Sequence, residues 1–294
     1  MTEAGSPRLF CFGLGYTAEV LAVRKRNEGW AVAGTCRSPA KRAALAARGF
    51  EARLFDRGRP LADPAAALAG ATHLLISAPP DETGDPVLAA HRADLAALRD
   101  LDWVGYLSTT GVYGDRAGGW VDETTPVAAD AARNRRRVEA EAGWLALARD
   151  RGLPVHVFRL AGIYGPGRNQ LVALREGRAR RIVKKGQVFG RIHVDDIATV
   201  LEASMTKPNP GAIYNVVDNE PEDPAAVVEH AARLLGVTPP PLEPYETAPM
   251  SPMARSFYED CRRVRNDRIR RELGVELRYP TYREGLAALR ATMD

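Results

Sequence analysis

The chain has 294 residues, of which 45% are hydrophobic and 27% charged, and it carries a formal net charge of +4. These values are typical of a globular protein, and no apolar run approaches the roughly 20 residues that span a bilayer, so we predict no membrane segment. The polar N-terminus argues against a signal peptide. The three cysteines have no paired spacing, which argues against a disulfide framework and a metal site and predicts a cytoplasmic location. The arginines are scattered rather than clustered, which favours an anionic small molecule over nucleic acid as the partner.

The first predicted strand, Leu9–Phe12, runs directly into a glycine-rich turn that opens a helix. The turn, Gly13-Leu14-Gly15-Tyr16-Thr17-Ala18, fits the G-x-G-x-x-A pattern of dinucleotide-binding folds. In that pattern the first glycine permits the turn, the second lets the backbone approach a pyrophosphate, and the alanine lets the helix pack on the strand. We predict that Gly13–Ala18 holds the phosphates of a dinucleotide at the start of the helix; an ordinary strand–helix turn is the alternative.

The second predicted strand ends in Thr35-Cys36-Arg37-Ser38. A site that prefers NAD usually places Asp or Glu here, to accept a hydrogen bond from the ribose 2′-hydroxyl. A guanidinium can instead bind a 2′-phosphate, which a carboxylate would repel. Arg37 and Ser38 therefore favour NADP(H), with NAD(H) as the second choice and a solvated arginine as the alternative interpretation.

Strands and helices go on alternating as far as residue 159. The further predicted strands are Phe50–Phe55, His73–Ser77, Trp103–Ser108 and Pro154–Arg159, and the predicted helices are Pro39–Arg48, Leu61–Ala69, Pro86–Leu98 and Asp130–Arg149. This alternation predicts an α/β protein with a Rossmann-type, doubly wound parallel sheet.

The second half is less regular, and Gly165-Pro166-Gly167 marks the predicted change of domain. We predict a dinucleotide-binding domain over 1–165, to which 193–218 returns, and a smaller α/β substrate-side domain over 166–294. The predicted helices here are Gln170–Glu176, one capped by Asp195 and reaching Met205, Pro224–Leu235, Asp267–Leu273 and Tyr282–Thr292; the predicted strands lie near Arg181–Val183, Ile213–Val217 and Arg262–Val264. The proline-rich stretch Thr238–Pro252 is expected to be an extended crossing.

Four motifs in chain order resemble the extended short-chain dehydrogenase/reductase superfamily, in its NAD(P)-dependent epimerase/dehydratase group. They are Gly13-x-Gly15-x-x-Ala18, the T-T-G-V-Y-G run Thr109–Gly114, Arg159-x-x-x-Ile163-Tyr164-Gly165-Pro166-Gly167 and Arg191-Ile192-His193-Val194-Asp195-Asp196-Ile197. The C-terminal segment 263–285 is similar to an atypical bacterial branch of that group. The resemblance implies a cofactor domain and a smaller domain that closes over a substrate, often a nucleotide sugar, in a monomer or a homodimer formed through 86–98 and 130–149.

The resemblance also implies roles for single residues. Thr109 would hydrogen-bond the reacting oxygen, and Asp56 would contact the adenine. Tyr113 would stand at the mouth of the site, or would simply wedge its loop against the core. The remaining cofactor-binding positions that it implies are Ser77, Ala78, Pro79, Ser108 and Tyr164. His193 is expected to support the site rather than react.

One departure from the family pattern concerns the acid/base pair. Such enzymes carry a Tyr with a Lys four residues later, on one helix face, where the ammonium lowers the pKa of the phenol. In this chain no Tyr is followed by Lys at that spacing. One alignment of the helix places Arg133 and Arg137 at the two positions, and a shift by one residue places Asn134 and Val138 there, so neither register supplies the pair. Arg137 could still hold ribose hydroxyls, whereas the Arg133 guanidinium cannot replace a phenol because it stays protonated. A solvated helix face is the alternative for these arginines.

These observations leave more than one functional hypothesis open. The first is an NADP-dependent oxidoreductase or epimerase in which Thr109 orients the substrate and Tyr113 or Tyr164 relays a proton. In that hypothesis Arg168 and Arg262 are candidates to meet an anionic group of the substrate. The second is a catalytically silent NADP(H)-binding sensor or regulatory protein, which the missing Tyr–Lys pair suggests. A nucleic-acid binder that uses the arginine-rich helix is a weaker third.

Overall fold

A computed structural model describes residues 6–293 of the chain. The strands are β1 (Arg8–Phe12), β2 (Ala31–Cys36), β3 (Glu51–Leu54), β4 (His73–Ile76), β5 (Trp103–Thr109), β6 (Trp120–Val121), β7 (Val155–Leu160), β8 (Gly162–Tyr164), β9 (Arg181–Val183), β10 (Arg191–His193), β11 (Ile213–Val216), β12 (Leu242–Pro244) and β13 (Arg263–Val264). The helices are α1 (Tyr16–Asn27), α2 (Pro39–Ala47), α3 (Pro64–Leu68), α4 (Pro86–Ala97), α5 (Ala132–Arg151), α6 (Gln170–Arg175), α7 (Val194–Thr206), α8 (Pro224–Leu235), α9 (Pro252–Phe257) and α10 (Tyr282–Ala291). A 3₁₀ turn covers Thr110–Tyr113 and a π-helical turn covers Ile269–Leu273.

The main sheet has seven strands in the order β11-β7-β5-β4-β1-β2-β3. Strand β1 pairs in parallel with both β2 and β4, so that Phe10 lies opposite Ala33 on one side and Leu74 on the other. The order reverses between β1 and β4, because the chain leaves β1 towards β3 and then returns to add β4 and β5 on the other side. The predicted doubly wound Rossmann sheet is therefore confirmed, and its switch point lies between β1 and β4.

The chain divides into two compact units. One contains the described residues up to Ser108 together with Arg135–Phe158 and Leu201–Ile213. The other contains Thr109–Asn134, Arg159–Val200 and the described residues from Tyr214 onward. This grouping differs from the predicted division at residue 165, because the loop after β5 and the segment 193–200 belong to the second unit.

The core of the first unit explains why its strands are apolar on both faces. Phe10, Phe12 and Leu74 are completely buried, as are both tryptophans at positions 103 and 144. Each indole N–H has a polar partner inside the core: Trp103 donates to Ser204 at 3.0 Å, and Trp144 donates to Asp85 at 2.9 Å. Buried aromatic rings thus keep their polar edges satisfied, as a stable core requires.

The second unit contains several short strands, of which β9 and β13 lie where the sequence predicts strands, whereas β6, β8 and β12 are not predicted. Strand β8 pairs in parallel with β10, β12 with β9, and β13 with β6. The predicted extended crossing therefore contains β12, and the stretch 115–129, where no strand or helix is predicted, contains β6. Helix α7 begins at Val194, so the prediction that Asp195 caps it is wrong: Asp195 lies in the first turn.

No helix in the described residues is both long and apolar enough to cross a membrane.

Candidate functional site

The glycine turn after β1 lies at the switch point of the sheet. Gly13 adopts φ +95°, and a Cβ there would stand 3.0 Å from the backbone nitrogen of Ala78, which follows β4. The Gly13 N–H donates to the Thr35 hydroxyl at 2.9 Å, and the Leu14 N–H donates to the Thr35 carbonyl at 2.7 Å. Only glycine fits position 13, because both the backbone angle and the neighbouring chain exclude a side chain.

Gly15 lies in a different environment. Its backbone is extended, with φ −108°, and a Cβ there would meet no atom within 4 Å. It precedes α1, whose start has no side-chain cap. Ala18 is fully buried on the inner face of this helix. The predicted turn thus presents backbone and an uncapped helix start to open space, which suits an anionic group such as a pyrophosphate.

A cluster of positive charge surrounds the end of β2. Arg37 is exposed, and its backbone carbonyl accepts a hydrogen bond from Arg59 at 2.8 Å. Burial raises the pKa of the Cys36 thiol, and this effect outweighs the positive charges of Arg42, Lys41 and Arg59, which lower it. Among the described residues no carboxylate pairs with the Arg37 guanidinium, and its binding of a ribose phosphate stays a prediction.

Two further predicted cofactor residues already have partners within the protein. The Ser38 hydroxyl caps α2 by accepting a hydrogen bond from the Lys41 N–H at 3.2 Å. The Asp56 carboxylate pairs with Arg59 at 2.7 Å. Asp56 remains half-exposed, whereas the cap role of Ser38 is a sufficient structural reason for a serine there.

The residues after β4 and at the end of β5 complete this side of the sheet. The N–H groups of Ser77 and Ala78 both donate to the Phe12 carbonyl, at 2.9 and 2.8 Å, and Pro79 is exposed. The buried Ser108 hydroxyl donates to Glu141 at 2.5 Å. Ser108 is therefore held by the protein itself. The backbone of Ser77 and Ala78 lies beside Gly13, and contact of Ser77, Ala78 and Pro79 with a cofactor stays a prediction.

Arg137, which one alignment predicts at the position of the family lysine, is fixed by strand β5. Its guanidinium donates to the Leu107 carbonyl at 2.7 Å and to the Tyr106 hydroxyl at 3.3 Å. These bonds hold a permanent positive charge at the carboxyl end of β5. A part in binding ribose stays a prediction.

In the second unit, Thr109 and Tyr113 have contrasting environments. Thr109 is half-exposed, and its hydroxyl accepts a hydrogen bond from the Gly111 N–H at 3.1 Å. Tyr113 is fully buried; its hydroxyl donates to Asn215 at 2.8 Å, and the Arg159 guanidinium lies 4.8 Å from its ring centre. Burial raises the pKa of the Tyr113 phenol. The wedge interpretation therefore fits Tyr113, whereas a contact of Thr109 with a substrate stays a prediction.

Tyr164 is also held in the interior of the second unit. It packs so closely on α10 that a Cβ on Gly285 would lie 2.0 Å from its hydroxyl oxygen. That hydroxyl is 3.4 Å from the Thr281 carbonyl, and the ring meets the edge of His193 at 5.1 Å. Burial raises the pKa of Tyr164 beyond that of an exposed phenol, which argues against a proton relay through it.

The two arginines predicted to meet the substrate differ. Arg168 is exposed in the turn after β8, where its backbone bonds to Gly165. Arg262 is committed within the protein: its guanidinium donates to the Gly114 carbonyl at 2.7 Å and pairs with Asp260 at 3.1 Å. Arg262 therefore fastens the segment before β13 to the turn after β5, and this role needs no substrate.

Sequence reasoning did not single out Asp218, a buried carboxyl group in the second unit. Burial raises its pKa to about 8, and the nearby Arg191 opposes that rise. One carboxyl oxygen has no hydrogen-bond partner among the described residues. No local pattern marks such a residue, because its environment depends on Arg191, 27 positions earlier, whose carbonyl accepts a hydrogen bond from the Asp218 N–H at 2.7 Å. No cluster of metal-ligating side chains occurs between residues 6 and 293.

Comparison with known proteins gives relatives along nearly the whole chain, although no protein-family model matches it. The Escherichia coli K12 protein YeeZ is 30% identical over 91% of this chain and 94% of its own length. A conserved protein of unknown function from Silicibacter pomeroyi is 54% identical, with a TM-score of 0.90 over 97% of this chain and 99% of the other.

Two further solved structures are more distant. A Methylobacillus flagellatus protein assigned to the NAD-dependent epimerase/dehydratases is 26% identical, with a TM-score of 0.69 over 98% of both chains. The dTDP-glucose 4,6-dehydratase of Bacillus anthracis, solved in complex with NAD, is 18% identical, with a TM-score of 0.76 over 98% of this chain and 96% of the other. This last likeness concerns the fold alone.

Proposed function

Because this chain belongs to the NAD-dependent epimerase/dehydratase family of extended, atypical short-chain dehydrogenases/reductases, we propose that it is an NADP(H)-binding oxidoreductase or epimerase acting on an anionic small molecule. Nucleotide sugars are one class of such molecules, and the B. anthracis enzyme acts on one. The observation that carries the proposal is the open space at Gly15, next to the close approach of Gly13 and Ala78. A backbone cradle at the switch point of a doubly wound sheet is where dinucleotides bind.

In this proposal, different residues of the chain have different roles. Gly13–Ala18 would hold the pyrophosphate, and Arg37 would bind the phosphate on the adenosine ribose. A bound nicotinamide cofactor would supply or accept a hydride, and the accompanying proton would be exchanged with water. Thr109, whose hydroxyl is fixed by the Gly111 N–H yet half-exposed, would orient the reacting oxygen of the substrate. Neither Tyr113 nor Tyr164 is used, because both are buried and hydrogen-bonded inside the protein.

The choice of cofactor is tested by titrating the protein with NADPH and with NADH. In Arg37→Gln the affinity for NADPH should fall by about tenfold or more, because a charge-assisted hydrogen bond to phosphate is lost, while NADH affinity changes little. Arg53→Gln on the neighbouring strand β3 is the matched control, since Arg53 pairs with Glu51 instead. Equal loss for both nucleotides, or none, would contradict the assignment of Arg37.

A specific observation favours a second candidate, a silent NADP(H)-binding sensor. Both tyrosines at the predicted active site are buried, and neither alignment of helix α5 supplies the Tyr and the Lys of the family pair. The sensor binds NADPH but neither changes the absorbance at 340 nm with carbonyl compounds nor converts a nucleotide sugar into a new product seen by chromatography. The oxidoreductase gives the absorbance change, whereas the epimerase, which regenerates its cofactor, gives the new product. Thr109→Val should reduce either activity, because the hydroxyl that orients the substrate is lost.

A further inference from the structure

The second unit contains an open cavity of about 290 Å³ where three of its helices end. Helices α6, α8 and α10 pack against one another, and their last residues are Arg175, Leu235 and Ala291. The cavity lies within the second unit, because all six residues that line it belong to that unit. They are Leu174, Arg175, Leu235, Val237, Arg290 and Met293. Its volume is near the lower limit for pockets that hold small organic ligands.

The apolar part of the cavity lining is aliphatic. Leu174, Leu235 and Met293 pack against the buried core of the second unit, and Val237 is 48% exposed. None of the six lining residues is aromatic, so the lining offers no ring on which a flat ligand would stack. Flexible aliphatic side chains adapt their shape to an aliphatic chain, and covering them removes apolar surface from water.

The polar part of the lining consists of two guanidiniums. Arg175 is exposed, and it makes no hydrogen bond or ion pair with any residue in the described range 6–293. Arg290 donates a hydrogen bond to the Met293 carbonyl at 3.2 Å, and its buried Nε has no partner in the part of the chain that the structure describes. Guanidiniums bind carboxylates through parallel, charge-assisted hydrogen bonds, so these two side chains suit a carboxylate ligand.

The acidic residues of these helices do not balance the two arginines. Glu176, which follows α6, pairs with Arg178, and Glu229 on α8 pairs with Arg181. Glu284 lies in the first turn of α10, at the opposite end from the cavity. The charge that remains where the three helices end is therefore positive, and an anion from outside the chain would complement it.

A second role for arginines at this place has to be separated from ligand binding. A cation in the last turn of a helix stabilises the partial negative charge of the helix end. Arg233 meets this condition alone, because it lies exposed in the last turn of α8 and does not line the cavity. Comparison with Arg233 therefore distinguishes an effect of the cavity from an effect of helix ends.

We propose that this cavity binds a free aliphatic carboxylate of medium length, a fatty acid of about eight carbons. The carboxylate binds the guanidiniums of Arg175 and Arg290, and the aliphatic chain lies along Leu174, Leu235 and Met293. The bound ligand holds the ends of α6, α8 and α10 together and so stabilises the second unit. This proposal goes beyond the proposed function and does not depend on the cofactor site.

The test is calorimetric titration of the full chain, without nucleotide, with octanoate and its neutral amide, octanamide. Octanoate should bind at one site with a Kd of about 1 mM or tighter, and octanamide at least about tenfold more weakly, because it has no charge. Arg290→Gln should weaken octanoate binding by about tenfold, and the more exposed Arg175→Gln by about threefold. Arg233→Gln is the matched control and should bind octanoate as the parent does.

A second pair of variants tests the cavity itself. In Val237→Trp the indole should fill the space beside Leu235 and abolish binding of both probes. Because position 237 is half-exposed, the melting temperature should stay within a few degrees of the parent value. Leu242→Trp is the control, since Leu242 is 58% exposed and does not line the cavity, and it should keep the parent affinity for octanoate.

Three results would each overturn the proposal: no saturable binding of octanoate by the parent, equal affinity for octanoate and octanamide, or an equal loss in Arg233→Gln and Arg290→Gln. Tighter binding of a short peptide that ends in leucine would also overturn it, since the occupant would then be a polypeptide C-terminus. None of these results touches the proposed function, because NADPH titration of the same samples tests the cofactor site separately.

Discussion

Two glycines two residues apart illustrate how much single positions differ in this turn. Gly13 has a positive φ and the Ala78 backbone at 3.0 Å, whereas Gly15 has an ordinary extended backbone and open space. The fold therefore requires glycine at 13 and tolerates a side chain at 15. A reason for glycine at 15 has to come from a ligand that approaches the backbone.

Gly15→Val is expected to fold normally and to lose NADP(H). The valine side chain would occupy the space at the start of α1, so the affinity for NADPH should fall by about tenfold or more while the melting temperature changes by only a few degrees. Fluorescence titration and thermal melts measure the two quantities. Gly13→Ala is the contrasting variant, and should lower the melting temperature itself. If Gly15→Val kept the parent affinity, the cradle would not be the phosphate site.

Among the secondary-structure elements, the sequence predicted the strands, helices and turns that hydrophobic periodicity and turn residues indicate. The alternating pattern placed the strands of the main sheet and the glycine turn, and Gly236 ends α8 in the left-handed conformation as expected for a C-terminal glycine. Strands β6 and β12, of two and three residues, are too short to show a period. They form because they find partners far along the chain, in β13 and β9.

The candidate site could be predicted only in part for the same physical reason. Gly13, Gly15 and Arg37 act through local backbone geometry or exposure, which a motif encodes. The burial of Tyr113 depends on Asn215, 102 residues away, and that of Tyr164 on α10. A local pattern cannot reveal such a partner, so it could not show that these phenols are inaccessible.

The contact between β8 and α10 yields a prediction of stability. In Gly285→Ala the new Cβ would overlap Tyr164, with the hydroxyl oxygen at 2.0 Å and ring carbon Cζ at 2.7 Å. Because a ring packed in a core cannot move aside freely, the free energy of unfolding should fall by about 1–3 kcal/mol, although alanine is the better helix former. Urea denaturation measures the change.

Two further variants test whether the overlap with Tyr164 causes this loss of stability. Ala287→Ser, on the exposed face of the same helix, should change the free energy of unfolding by no more than about 0.5 kcal/mol. Combining Gly285→Ala with Tyr164→Ala should cost less than the sum of the two single changes, since removing the ring removes the overlap. Additive losses would show that the close approach is not what requires glycine at 285.

For the molecule as a whole, the positive charge is spread over many exposed arginines, and several of them form ion pairs with nearby carboxylates. Arg57 with Asp81 and Arg283 with Glu220 are examples. Exposed pairs of this kind add little to stability and are screened by salt. Dimerisation through 86–98 and 130–149 stays a prediction. The pH dependence of the global fold therefore depends more on buried groups, and Asp218 is prominent among them.

The protein should lose stability as the pH rises towards 8, because of Asp218. Its carboxyl group has an ordinary value of 3.8 when unfolded, whereas burial raises its pKa to about 8 in the folded protein. Between these values the folded state holds a proton that the unfolded state has released. The free energy of unfolding therefore falls with rising pH, by at most about 1.4 kcal/mol per pH unit for this one group.

Asp218→Asn should flatten this fall, because the amide stays neutral and has nearly the same shape. Urea denaturation from pH 5 to pH 9 compares the parent with this variant, whose advantage over the parent should grow steadily up to about pH 8 and then level off. Asp115→Asn is the control: the backbone N–H of Cys261 lowers the pKa of Asp115, so its effect should be constant over the same range. Parallel curves for the parent and Asp218→Asn would mean that Asp218 is ionised in the folded protein, with Arg191 rather than a proton neutralising it.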